Sequence, residues 1–286
     1  MELLALVRES AGDAVGPAQA RWLGRLRAER ENLEAAIEWA QLRGETALAL
    51  GLANAVWRLW LVSDPLHRSV ARVEALLRLP GAGDAERERA VALNTLGTLR
   101  NEMGELEPAR EALEESLSIF RRLGERGEAY ARSNLAWAEH HRGRYDQAEE
   151  LPADEALSIL GQIDDDQLIA WGLGIRSLPA LARGETGRAL DLLHRSASLW
   201  RRVGNRAGLA WTLGTEGQAL VAAGRRAEAI ESLRQAVVAC REASSPWPLL
   251  DVLPQLAALG APRGKADELP ADPLAEAARL ADRLGA

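Results

Sequence analysis

The chain has 286 residues, 47% of them hydrophobic and 27% charged, with a formal net charge of -7. That balance, with Lys265 as the only lysine, leaves no basic stripe to follow a phosphate backbone and no lysine for Schiff-base or phosphate-loop chemistry, so direct nucleic-acid binding is not expected. A single cysteine, Cys240, rules out an internal disulfide; without a basic, then apolar leader the expected compartment is the cytosol, and because Arg or Glu interrupts every apolar stretch no membrane span is expected.

One Phe and two Tyr beside abundant Ala, Leu, Arg and Glu lean the composition towards helix. Apolar periodicity near 3.6, read between Gly and Pro breaks, predicts helices at 19–41, 45–62, 66–79, 86–103, 106–123, 126–142, 145–161, 165–183, 186–202, 206–223, 226–242, 247–260 and 272–284. Gly104, Gly143, Gly184 and Gly224 end four of these at spacings of 39, 41 and 40, each where a helix C-terminus turns left-handed at little steric cost to glycine. Ala109, Ala148, Ala189 and Ala229 follow, small enough to let the second helix of each pair approach the first. The second helices align through Phe120, Leu160, Trp200 and Cys240, which are expected to be equivalent buried positions, and Trp22 and Trp39 are assigned to the core as well. Ser116–Gly124 and Ser196–Gly204 match over a doubled period.

A hairpin buries its apolar face only against a neighbour, so the expected fold is all-α: a right-handed superhelical solenoid of antiparallel helix hairpins with repeats near 40 residues. The chain is expected to be one body over 1–286, with N-terminal helices in 1–85, four regular repeats in 86–242 and an irregular capping hairpin in 243–286. Pro152 and Pro179 fall inside predicted helices and are expected to kink that repeat and widen it into the main pocket; Pro246, Pro248 and Pro254 are expected to interrupt helix 247–260. Asp164, Asp165 and Asp166 read as helix N-terminal charge rather than as a metal site.

Leu96-Gly97 with Gly104 and Ala109, and Leu135-Ala136 with Gly143 and Ala148, resemble the Leu-Gly, Gly and Ala marks of tetratricopeptide repeats, although the period exceeds that family's 34 residues. Trp22-Leu23-Gly24-Arg25-Leu26, Glu31-Asn32-Leu33-Glu34-Ala35-Ala36-Ile37-Glu38-Trp39-Ala40 and Ala53-Asn54-Ala55-Val56-Trp57-Arg58-Leu59-Trp60 resemble the tetratricopeptide sensor region of LuxR-type and AfsR-like ATP-dependent bacterial transcription regulators. The resemblance implies a sensing or docking surface. The chain has neither a G-x-x-x-x-G-K-[ST] loop nor an evident helix-turn-helix, so ATP hydrolysis and DNA binding do not carry over. A segment of a longer regulator and a free-standing descendant both fit.

The first helix of each hairpin is expected to line a concave groove. Repeat register places Asn54, Trp57, Trp60, Asn94, Asn101, Glu102, Tyr130, Trp137, His140, Trp171, Trp211 and Gln218 there, with His141 beside them. Aromatic walls with a few polar groups suit a peptide or a flat small molecule, whereas the same tryptophans also suit interhelical packing. Glu102 with His140 or His141 is the weak catalytic candidate; adjacent histidines point about 100° apart on a helix, so no metal and no cofactor are expected. The first expectation is thus a non-enzymatic binding or sensor module that recognises a partner protein or peptide. A metabolite receptor, or an enzyme on the same scaffold with a pocket near 130–180, remain as alternatives, and the sequence leaves oligomeric state open.

Overall fold

The computed structural model describes residues 19–124, 127–150, 166–260 and 272–284; the expectations placed on Pro152, Leu160, Asp164 and Asp165 lie outside the described residues. Fourteen helices are described: α1 (Gln19–Ala28), α2 (Arg30–Leu42), α3 (Thr46–Ser63), α4 (Leu66–Leu77), α5 (Glu86–Glu102), α6 (Leu106–Leu123), α7 (Gly127–His141), α8 (Tyr145–Glu150), α9 (Asp166–Ala182), α10 (Thr186–Val203), α11 (Arg206–Ala222), α12 (Arg226–Ala243), α13 (Trp247–Ala258) and α14 (Pro273–Leu284). No strand occurs among the described residues, and the fold is an all-α helical repeat.

Chain breaks follow local chemistry. Gly104, Gly143, Gly184 and Gly224 take φ of 74°, 73°, 76° and 75°, the left-handed conformation anticipated from their spacing, and Gly44, outside that series, takes 72°. The next residue then forms an inverse γ-turn at Glu105 (φ -80°, ψ 64°) and Glu185 (φ -77°, ψ 55°), where Leu106 N–H donates to Gly104 O at 3.0 Å and Thr186 N–H to Gly184 O at 2.9 Å. The second helix starts from that turn, and Ala109, Ala148, Ala189 and Ala229 are all fully buried within it.

The described helices pack into two compact units, one over Arg21–Arg144 and the other over Tyr145–Arg283. In the first, α3 packs on α5 and α5 on α7, while α4 touches both α3 and α5 and α6 touches both α5 and α7. The second helices therefore cover one side of a row of first helices. In the second unit α9, α11 and α13 form the corresponding row, with α10 and α12 between successive members. Ser116 Oγ donates to Ala90 O at 2.8 Å and Ser196 Oγ to Ala170 O at 2.7 Å, so residues matched in the sequence at the doubled period make the same buried bond. A Cβ on Gly97 would lie 2.4 Å from Leu113 and one on Gly217 2.5 Å from Leu233, which is the close crossing that a Leu-Gly mark permits.

Several sequence expectations are corrected. The helix expected at 19–41 is two helices, broken at Glu29 (φ -97°, ψ 9°). Trp39 is 54% exposed rather than core, because the buried stripe of α2 is Leu33, Ile37 and Ala40 and a residue two past Ile37 falls on the opposite side; Arg43 lies 5.9 Å over its ring. Pro254 does not end α13, and Pro179 lies inside α9: each removes one backbone donor, while Val252, Leu253 and Leu256, or Leu178 and Ala180, keep the helix packed. Helix α3 is long and apolar enough to cross a membrane by length and composition alone; Leu50, Leu52, Val56, Leu59 and Trp60 are buried inside the fold, as in a core helix. Trp22, Phe120, Trp200 and Cys240 are buried, and burial pushes the Cys240 thiol up to about 12, leaving it unreactive near neutral pH.

Candidate functional site

The side chains singled out on the first helices of the first unit divide into a polar seam and an aromatic set. The seam joins neighbouring helices. Asn54 Nδ2 of α3 donates to Glu88 O of α5 at 2.8 Å, and Asn134 Nδ2 of α7 donates to Asn94 Oδ1 of α5 at 3.0 Å and to Thr98 Oγ1 at 3.2 Å. Thr98 Oγ1 in turn donates to Asn94 O at 2.9 Å, and Asn101 Nδ2 reaches Asn134 O at 3.4 Å. Asn101 and Asn134 are buried, Asn54 and Asn94 half-buried, and the Asn101 Oδ1 is a buried acceptor without a hydrogen-bond partner. These amides hold the helix row in register, and Asn134, which lies 40 residues after Asn94, is the member that register alone would have added.

The aromatic set is held by cations and imidazoles. Trp57 is half-buried, with the Arg58 guanidinium 4.6 Å from its ring centroid. Trp60 is only 3% exposed and carries Arg72 at 5.4 Å; Arg72 and Arg30 both donate to the buried Asp64 carboxylate, so Trp60 belongs to the packed interior. On α7, Tyr130 is exposed and Trp137 half-buried. Trp137 meets His141 edge-on at 5.4 Å, and His141 Nδ1 lies 2.9 Å from Trp137 O. Burial, reinforced by the neighbouring His141, lowers the His140 pKa to about 4, so its ring is neutral at pH 7. Glu102 is half-buried at the end of α5.

In the second unit Trp171 of α9 and Trp211 of α11 meet with ring centroids 5.0 Å apart at 47°. Trp211 lies on Gly174, where a Cβ would come within 2.5 Å of the ring, so this pair fills the seam between two first helices; Gln218 is exposed. A cavity of about 360 Å³ opens between α10, α11 and α12, floored by Leu209 and Leu213 and rimmed by Arg201, Arg206, Arg234 and Glu242. Repeat register did not single it out, because its walls come from three helices. The wider pocket expected beside 150–180 falls in part, over 151–165, on residues outside the description. Among the described residues no group of three His, Cys, Asp or Glu is placed to hold a metal ion.

A tetratricopeptide-repeat family model matches residues 88–152 and 180–242. Those two stretches are similar to tetratricopeptide repeats. They cover α5 to α8 and, from the end of α9, α10 to α12. Among solved structures, the Rap protein complexed with Competence and Sporulation Factor has 10% sequence identity and a TM-score of 0.71, over 99% of this chain and 85% of that one. BtubC from P. vanneervenii (16% identity, TM-score 0.48, 77% and 87% of the two chains) and a kinesin light chain with nearly identical TPR-like repeats from Podosopora anserina (17%, 0.44, 68% and 92%) also match. No curated protein matches in sequence.

Proposed function

We propose that the chain is a non-enzymatic binding module whose first-helix row, in the unit over Arg21–Arg144, takes an extended segment of a partner protein. The observation that carries this reading is the aromatic and polar set on α3 and α7: half-buried Trp57 under Arg58, exposed Tyr130, and half-buried Trp137 braced by His141, on helices that an asparagine seam joins. Rings braced in one orientation offer contact area at small entropic loss, as peptide-binding surfaces require. Neutral at pH 7, His140 adds no charge to this surface. The Rap protein, similar in fold, is complexed with a factor in its own crystal structure, which supports a binding role for this kind of helical row. The resemblance of residues 22–60 to the sensor region of LuxR-type and AfsR-like regulators supports a regulatory, cytoplasmic and bacterial setting for that binding.

The test is an array of randomised, C-terminally amidated decapeptides probed with the full chain, followed by anisotropy titration of the best binders against wild type and Trp137→Ala. We expect saturable binding that weakens about tenfold or more in the variant. An array without a saturable binder would remove the reading. The cavity of about 360 Å³ favours a second reading, a small-metabolite receptor in the other unit; quenching of the nearby buried Trp200 during titration with metabolite pools, lost in Arg234→Ala, would support it.

A further inference from the structure

The cavity of about 360 Å³ belongs to the unit over Tyr145–Arg283 and lies away from the aromatic seam of that unit. Leu209 and Leu213 stand one turn apart on α11 and form its floor. Trp211, two residues from either, falls about 200° around the same helix, where it meets Trp171. The walls are second helices. Arg201 comes from the end of α10, and Glu231, Arg234, Val238 and Glu242, at steps of three and four residues, come from one face of α12. Leu209 and Leu213 are buried, whereas Val238 is left 40% exposed among charged neighbours, an apolar wall open to solvent.

The charges of the lining are unequal. Three arginines, Arg201, Arg206 and Arg234, stand against two glutamates, in a chain of net charge -7. Arg206 and Glu242 answer each other at 3.0 Å, and Glu231 accepts from Gln235 Nε2 at 2.9 Å. Arg201 is exposed, and among the described residues no ion pair engages its guanidinium, so it can meet a ligand without giving up an existing contact. A guanidinium edge matches a two-oxygen anion, and an apolar floor takes a hydrocarbon body. One cation in excess balances a single negative charge; a phosphate dianion would also face Glu231 and Glu242, and an amine would face three arginines. The volume is at the lower end of the roughly 300–1,000 Å³ of small-molecule sites, which favours a small ligand over a peptide. We propose that the cavity binds a small monocarboxylate with an apolar body, its carboxylate on Arg201 and its hydrocarbon against Leu209, Leu213 and Val238. This names the ligand class of the metabolite-receptor reading above and rests on it.

The experiment is a calorimetric titration of the full chain with octanoate and 4-phenylbutyrate, and with the amide, amine and phosphate monoester of the same hydrocarbon bodies. The carboxylates should bind saturably at one site per chain, and the amides at least about tenfold more weakly. Arg201→Gln should bind carboxylate and amide alike, and Arg201→Lys should recover part of the preference without the bidentate fit. Val238→Glu, which adds a carboxylate to the apolar wall, should lose both ligands. Arg201 and Val238 are exposed, so an unchanged thermal melt is expected for all three variants and separates lost binding from lost fold. Carboxylates that bind no more tightly than the amides, amines or phosphates, or a preference that survives Arg201→Gln, overturn the inference and leave a metabolite receptor standing. Binding untouched by Val238→Glu places the ligand elsewhere and overturns it too. Silence towards every probe overturns the inference, and the receptor reading falls with it only if the metabolite pools also leave Trp200 unquenched.

Discussion

Ser244 ends α12 at φ 53°, while the equivalent ends of α6 and α10 are Gly124 at 65° and Gly204 at 75°. A Cβ in that conformation costs roughly 1 kcal/mol, so Ser244→Gly should raise unfolding stability by about 0.5–1 kcal/mol in a denaturant titration. Glycine inside a helix divides on the same principle. Gly51→Ala meets no atom within 4 Å and should stabilise by about 0.5–1 kcal/mol, whereas Gly97→Ala brings its methyl to 2.4 Å from Leu113 and 3.0 Å from Ala109 O and should destabilise by about 1–3 kcal/mol. His140 supplies a pH dependence. Its folded pKa of about 4 lies below the ordinary 6.5, so the unfolded chain binds its proton more readily; its contribution to stability is intact above about 6.5 and is lost as pH falls towards 4. His140→Gln should flatten the stability profile in that window, measured by denaturant midpoints at successive pH values.

In three hairpins, α5–α6, α9–α10 and α11–α12, an ion pair closes the open end. Arg122 bonds Glu86 at 3.2 Å, and Arg202 bonds Asp166 at the equivalent place, where it holds the carboxyl below its usual range. The next hairpin keeps the pair with its polarity reversed, Arg206 to Glu242 at 3.0 Å. Attraction between the end of the second helix and the start of the first is what recurs, not the identity of either residue. Exposed pairs contribute about 0–1 kcal/mol, so Arg206→Glu or Glu242→Arg alone should lower stability by less than about 1 kcal/mol, and the double swap should restore it, read as a double-mutant cycle. Because the reversal leaves spacing unchanged, the hairpin ends were legible in the sequence. The pairing was not, since it depends on which way two side chains lean across a helix crossing.

Nearest-neighbour packing governs the molecule as a whole. Each described helix meets chiefly its sequence neighbours and the next member of its row, so a defect should propagate weakly. Leu113→Ala in α6 should reduce amide-exchange protection most in α5, α6 and α7, which share its packing, with losses diminishing along the chain. The sequence by itself determined the repeat period, the turn glycines, the hairpin partners and most helix limits, because helix termination, left-handed glycine and 3.6-residue periodicity act over a few residues at a time. Tertiary structure alone decided that Trp39 is exposed, that Trp60 is interior, that Trp211 lies on Gly174, that asparagines from α3, α5 and α7 zip the row together, and that the Arg58 guanidinium lies over Trp57. Each of these turns on the rotation of a helix about its own axis. One residue step is about 100°, enough to carry a side chain from an open face into a seam, and neighbouring helices set that rotation.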